Sequence, residues 1–182
     1  MPYLTAGVVI VGVLCALDLV LTLGVIRRLR DHAERLSTMD GGPAEHPDLM
    51  LPRGSTVGGF SALTTDGEAV ALELIDGPTL VGFLSPGCEP CQEQAPLFVE
   101  FAAAMPGGRS RVLAVVVGQG EAADELAAAL SGAARVVVEP SRGPVSGAFQ
   151  VAGFPAIGLV DEHGVVVDSG HRVDQLTALS AL

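Results

Sequence analysis

Hydrophobic positions fall into three regimes along the chain. From Tyr3 to Ile26 the sequence runs apolar for 24 residues, with Asp18 the one side chain charged at neutral pH. About 20 such residues are what a helix needs to cross a bilayer, so residues 1–26 are expected to form a transmembrane anchor. A cleaved signal peptide would show a basic leader, a shorter apolar core and a small-residue cleavage site; none is present. Cys15 follows the bulky Leu14, against a lipidated cysteine, and is expected as a small apolar residue in the membrane. Asp18 is costly inside the span and suggests a partner helix or a tolerated defect. Residues 27–36 carry Arg27, Arg28, Arg30 and Arg35 with Asp31 and Glu34, a charged helical extension. Thr38 to Gly58 is then punctuated by Gly41, Gly42, Pro43, Pro47, Pro52, Gly54 and Gly58, the composition of a flexible tether. Residues 27–56 are thus expected to link the anchor to a head over 57–182, long enough to bury one core.

In the head, Phe60 to Thr64 and Glu68 to Leu72 flank Thr65-Asp66-Gly67, an Asp-Gly hairpin signal. Thr79 to Leu84 is a short run without polar alternation, as for a strand buried on both faces. Helix formers dominate from Cys88 to about Met105, with Pro96 expected to bend that helix. Arg111 to Val117 reads as a buried strand, Glu121 to Leu130 as a helix, and Arg135 to Glu139 as a strand. A short helix over Val145 to Val151 follows. Ala156 to Val160 and Val165 to Ser169 pair around Asp161-Glu162-His163-Gly164, and a helix over Val173 to Leu179 closes the chain. The order ββ-βαβαβα-ββα predicts an α/β domain with a central mixed sheet flanked by helices on both faces.

Composition narrows the function. The chain is 49% hydrophobic and 17% charged, too apolar for a disordered protein. All ten basic residues are Arg and face 21 acids, for a net charge of −11. Within 57–182 there are five Arg against fifteen acids, so 5 − 15 = −10. This argues against a nucleic-acid binder, which must neutralise phosphates.

Candidate chemistry centres on Cys88-Glu89-Pro90-Cys91, placed where a buried strand ends and a helix begins. Thiolate is the nucleophile, and the unpaired N–H groups and positive dipole end of a helix stabilise it. Cys88 is expected to be the attacking thiol. Cys91, three residues on, is placed to resolve the mixed disulfide, while Pro90 stiffens the first turn. Glu89 opposes thiolate formation at Cys88 by its charge. A zinc site would want a second cysteine pair, and His32, His46, His163 and His171 lack ligand spacing. A structural disulfide would close too small a loop to stabilise much. A CxxC beside a βαβ pattern is a redox signature, with no cofactor beyond the Cys88–Cys91 disulfide and no metal expected.

The stretch Phe83-Leu84-Ser85-Pro86-Gly87-Cys88-Glu89-Pro90-Cys91-Gln92-Glu93-Gln94-Ala95-Pro96, followed by Gly153-Phe154-Pro155-Ala156 and then Asp161-Glu162-His163-Gly164, resembles the membrane-anchored thioredoxin-like proteins of the TlpA/ResA group. Gly59-Phe60-Ser61-Ala62-Leu63 and the Asp66-Gly67 turn are similar to that group's N-terminal hairpin. Leu84-Ser85-Pro86, with an apolar anchor running into an Arg-rich segment, looks most like the MauD branch. Residues 57 to about 172 follow the pattern. The resemblance implies a thioredoxin-like fold and a thiol-disulfide oxidoreductase acting on disulfides of extracytoplasmic proteins, fed by an integral-membrane electron donor. It implies that Pro155 is cis and that the Phe154 backbone binds an extended substrate. Departures are Gly87, where the family often has Trp, and Gly82, where thioredoxin places a buried acid. Proton transfer at Cys91 would then use another group, for which Glu121, Glu93 and Glu139 are candidates, with Glu121 favoured.

Two other functions fit parts of the pattern. A peroxiredoxin-like thiol peroxidase would place a hydroxyl residue three before its cysteine, as Ser85 stands to Cys88, but Val81 replaces that family's proline. A non-catalytic docking or metallochaperone module would keep the fold; a copper-handling relative wants wider cysteine spacing and a nearby His. The Arg cluster at 27–35 places the head in the cytoplasm by the positive-inside rule, whereas the resemblance places it outside, where disulfides persist. The extracytoplasmic orientation is adopted as the expectation.

Overall fold

In the computed structural model, residues 48–176 are described; the expected anchor, the charged extension and the last part of the expected C-terminal helix lie outside them. Among the described residues no helix is long and apolar enough to cross a membrane. A two-stranded hairpin, β1 (Ser61–Leu63) and β2 (Ala69–Ala71), leads into β3 (Thr79–Leu84), α1 (Glu89–Ala104), β4 (Val112–Val117), α2 (Glu121–Ser131), β5 (Arg135–Glu139), α3 (Pro144–Ala148), β6 (Ala156–Val160) and β7 (Val166–Gly170). The five-stranded sheet has the order β5-β4-β3-β6-β7, with β3, β4 and β5 parallel and β6 and β7 antiparallel. This is the expected mixed sheet, and β3, β5 and β6 keep their expected limits. The start of the expected closing helix differs: Val173–Gln175 is a single 3-10 turn and Leu176 is extended.

The sheet is buried because its central strands are apolar on both faces: every residue of β3, β4 and β6 is buried. Leu80, Leu84, Val112, Ala114, Val116, Ile157 and Leu159 pack on α1 and α2. Val81, Phe83, Leu113, Val115 and Val160 pack on the other side with α3, the hairpin and the N-terminal segment. The stripe Cys91, Gln94, Phe98 and Ala102 is the buried face of α1, spaced as one face of a helix. Pro96 is within α1 and exposed, where the missing N–H is tolerated. Phe149 stacks tilted against Phe83 at 5.1 Å and Phe60 at 5.9 Å, spacings at which aromatic pairs attract.

The segment preceding the hairpin departs from expectation. Residues 48–56, expected as tether, are part of the domain, which begins at Asp48. Met50, Leu51 and Val57 are buried, and this segment bonds along β7: Gly54 N–H donates to Val166 O at 2.8 Å and Val166 N–H to Ser55 O at 2.9 Å. Gly54 and Pro52 mark a turn within a packed strap rather than a loose linker. Its apolar triplet Leu49-Met50-Leu51 supplies the burial that a Gly/Pro count overlooks.

Candidate active site

Strand β3 ends at Leu84, and a turn over 85–87 delivers the chain to α1. Cys88 is extended (φ −102°, ψ 112°) and caps the helix, its Sγ accepting the Cys91 N–H at 3.3 Å. The cysteine expected in the first turn is thus the cap itself, because Pro90 fits the first turn and an extended cap residue can turn its side chain back over the free N–H groups. Cys88 and Cys91 form a disulfide, with Cα atoms 5.2 Å apart. Cys91 is 1% exposed and its Sγ accepts the Ser85 N–H at 3.5 Å; Cys88 is half-buried. An incoming group therefore meets Cys88 first.

Just before β6, at the end where the neighbouring β3 leads into the helix, the Phe154–Pro155 peptide is cis, and the Phe154 carbonyl oxygen stands 3.5 Å from Cys88 Sγ. The fold thus brings residues 66 apart in sequence to one sulfur. Glu89 is exposed on the first helical turn, with Pro90 beside it. Gly87 is open, nothing standing within 4 Å of where a Cβ would be. At Gly82 the reverse holds: a Cβ would meet Phe98 Cε2 at 2.5 Å. The Phe98 ring occupies the space a buried acid would need.

The three proton-transfer candidates have different fates. Glu121 opens α2, exposed, and Glu93 is exposed on α1; among the described residues neither hydrogen-bonds a cysteine sulfur. Glu139 is buried, but its carboxylate accepts the Val145 N–H at 3.0 Å and the Ser146 N–H at 2.7 Å. It caps α3, a duty that its place at the end of β5 decides. One site residue and one cleft escape a sequence reading. Gln94 is 3% exposed in an otherwise apolar stripe, and its Oε1 accepts the Val173 N–H at 3.3 Å, fixing the last 3-10 turn on α1 one helical turn after Cys91. An open cleft of about 300 Å³ beside the pair is lined by Ser85, Pro86, Gln92, Ala122, Glu125 and Leu126; only assembly of α1 against α2 creates it. Among the described residues no three His, Cys, Asp or Glu side chains gather as a metal site.

A buried sulfur paired with a reachable one at a helix start, facing a cis-proline loop, defines a dithiol–disulfide centre on a thioredoxin-like α/β fold. Solved structures agree on the fold. The thioredoxin domain of a thiol-disulfide oxidoreductase from Bacteroides vulgatus superposes with a TM-score of 0.56 at 22% identity, over 72% of this chain and 96% of that one. StoA from Bacillus subtilis gives 0.54 at 21%, covering 67% and 96%, and DsbF from MTB, solved in mixed oxidised and reduced forms, gives 0.52 at 26%, covering 67% and 93%. The structural neighbours are thiol-disulfide oxidoreductases. No family model matches the sequence, and no curated protein matches it.

Proposed function

We propose that this chain is a membrane-tethered thiol-disulfide oxidoreductase whose Cys88/Cys91 dithiol reduces or isomerises disulfides of extracytoplasmic proteins. The observation that carries the proposal is the sulfur pair itself: Cys88 at the helix cap, reachable and 3.5 Å from the Phe154 carbonyl, and Cys91 buried behind it. In the reduced enzyme the Cys88 thiolate attacks one sulfur of a substrate disulfide, forming a mixed disulfide and expelling the other sulfur as thiolate. The Cys91 thiolate then attacks Cys88 Sγ, re-forming the enzyme disulfide and releasing the second substrate thiol. Two electrons pass to the substrate, and the two protons come from the enzyme thiols. The Cys91 N–H pointing at Cys88 Sγ and the N-terminal end of α1 favour the thiolate, and Glu89 works against it. The Phe154 backbone offers a carbonyl for an extended substrate chain. Re-reduction calls for a dithiol donor, assigned to an integral-membrane partner reached through the Tyr3–Ile26 anchor. The TlpA/ResA character, with the MauD branch as its finest grade, rests on the sequence motifs.

The test is a redox titration of the full chain in detergent, with Cys15→Ser so that only the pair reports. Equilibration in glutathione buffers followed by alkylation and mass analysis is expected to give one reversible two-electron transition between roughly −180 and −300 mV, abolished by Cys88→Ser. No transition, or a retained metal, sinks the enzyme reading. Orientation has a separate test. A Ser141→Cys label site on an exposed loop, in a background free of other cysteines, should react with an impermeant maleimide in intact cells. Labelling only after lysis refutes the extracytoplasmic head.

A further inference from the structure

The loop carrying Phe154 is held from outside. Between the end of α3 and the start of β6, the chain turns through Gln150, whose φ is +52°. The bonds Gln150 N–H to Gly147 O and Val151 N–H to Ser146 O, at 3.1 and 2.9 Å, finish the helix and go no further. Among the described residues, and outside the sheet ladder, the one main-chain hydrogen bond made by residues 152–155 runs from Ala152 N–H to Leu49 O at 2.8 Å. Two residues along, Leu51 N–H donates to Phe149 O at 3.0 Å. The Leu49 side chain lies on Gly153: a Cβ there would stand 2.8 Å from Leu49 Cδ2. Met50, 3% exposed, is seated on β6, its Cε 2.8 Å from where a Gly158 Cβ would be. The strap is therefore anchored in the core by Met50 and Leu51, and it presents Leu49 to the loop immediately before the cis-proline.

We propose that Leu49 is a positioning residue for disulfide exchange: by its carbonyl and side chain it sets Ala152 and Gly153, and so the Phe154 carbonyl beside Cys88. The proposal rests on the oxidoreductase reading above. A loop without ladder bonds samples many conformations, and each one excluded before substrate arrives is entropy that binding need not supply. Cys88 caps α1 and Cys91 lies in its first turn, whereas Leu49 packs with the hydrophobic cluster on the other side of the sheet. Losing the prop should weaken capture of an extended protein chain and leave exchange with a small disulfide, which asks little of the loop, as it was.

The experiment compares full-length wild type with Leu49→Ala and Leu49→Ile in detergent, with dithiothreitol as reductant and either insulin or hydroxyethyl disulfide as substrate. Leu49→Ala is expected to raise KM for insulin about fivefold or more with kcat within about twofold, a loss of binding rather than of chemistry. Both constants for hydroxyethyl disulfide should stay within about twofold, and Leu49→Ile should restore the insulin KM. If Leu49→Ala does not fold, Gly153→Ala presses on the same contact from the loop side and is expected to raise the insulin KM in the same way. An unchanged insulin KM, or equal losses on both substrates, overturns the positioning role while leaving the oxidoreductase reading intact. A wild type that turns over neither substrate refutes the oxidoreductase reading itself, and the positioning role with it.

Discussion

At the scale of single residues, the two sulfurs differ in exposure, and that difference assigns their steps. Cys88→Ser is expected to abolish disulfide reduction, whereas Cys91→Ser should leave Cys88 able to attack but unable to let go. A non-reducing gel should then show substrate trapped on the Cys91→Ser protein and none on Cys88→Ser. Two glycines nearby carry opposite expectations. Gly87 has empty space around it, so Gly87→Trp should change stability by no more than about 0.5 kcal/mol, as an unencumbered surface substitution does. Since the chain has no Trp, its fluorescence would report the redox state of the adjacent pair directly. Gly82 is pressed by Phe98, and Gly82→Ala should lower unfolding free energy by about 1–3 kcal/mol through overpacking. Equal stability of Gly82→Ala and wild type in urea would contradict that packing.

At the scale of elements, α3 depends on a carboxylate from outside itself. A helix this short is marginal on its own, and Glu139 supplies acceptors for two of its first N–H groups. Glu139→Ala would leave these donors buried and unpaired, at a cost of about 1–3 kcal/mol. Urea denaturation should show the loss, with a smaller one for Glu139→Gln. Were Glu139 a proton relay, the Gln variant would instead keep its stability and lose rate. The hairpin shows the same reliance on distant partners: Thr65 N–H donates to Val136 O at 2.8 Å across the β5 edge. Arg109 bonds Asp66 at 2.6 Å, and Arg135 approaches Glu68 at 3.6 Å. A free edge is a liability, and this contact covers part of it. The turn was legible in Thr65-Asp66-Gly67, since Gly67 takes φ +82° where a side chain is disfavoured; where the hairpin docks was not.

At the scale of the whole molecule, acid sensitivity follows from two exposed pairs. The Thr64 hydroxyl, and after it Arg109, hold Asp66 below the ordinary 3.8 of its carboxyl, and Arg172 does the same for Asp174. A carboxylate whose folded pKa is depressed adds stability that is present in full above its unfolded value. That stability is lost as pH falls through the lower folded value. Denaturant midpoints should therefore hold above about pH 4 and fall below it, for this reason. Asp66→Asn should flatten part of that fall; an identical profile would show that the pair contributes nothing. Both side chains are about half exposed, so the effect is modest and weakens with salt.

The sequence by itself determined the elements whose signal is local. β3 and β6 are short, largely apolar runs and β5 is three valines between Arg135 and Glu139, the two hairpins sit on Asp-Gly and Asp-x-x-Gly turns, and the CxxC stands where a strand yields to a helix. Each is decided by residues within a few positions, so a pattern read along the chain finds it. Tertiary structure decided what depends on partners far away. Leu49 lies on Gly153, Phe98 fills the space at Gly82, Glu139 caps α3 and Gln94 holds Val173; in no case does either residue's neighbourhood in sequence announce the other. The strap at 48–56 looked like tether because glycine and proline mark turns equally well in loose and in packed chain. Only burial against β6, β7 and the loop before Pro155 separates the two, and burial belongs to the folded molecule.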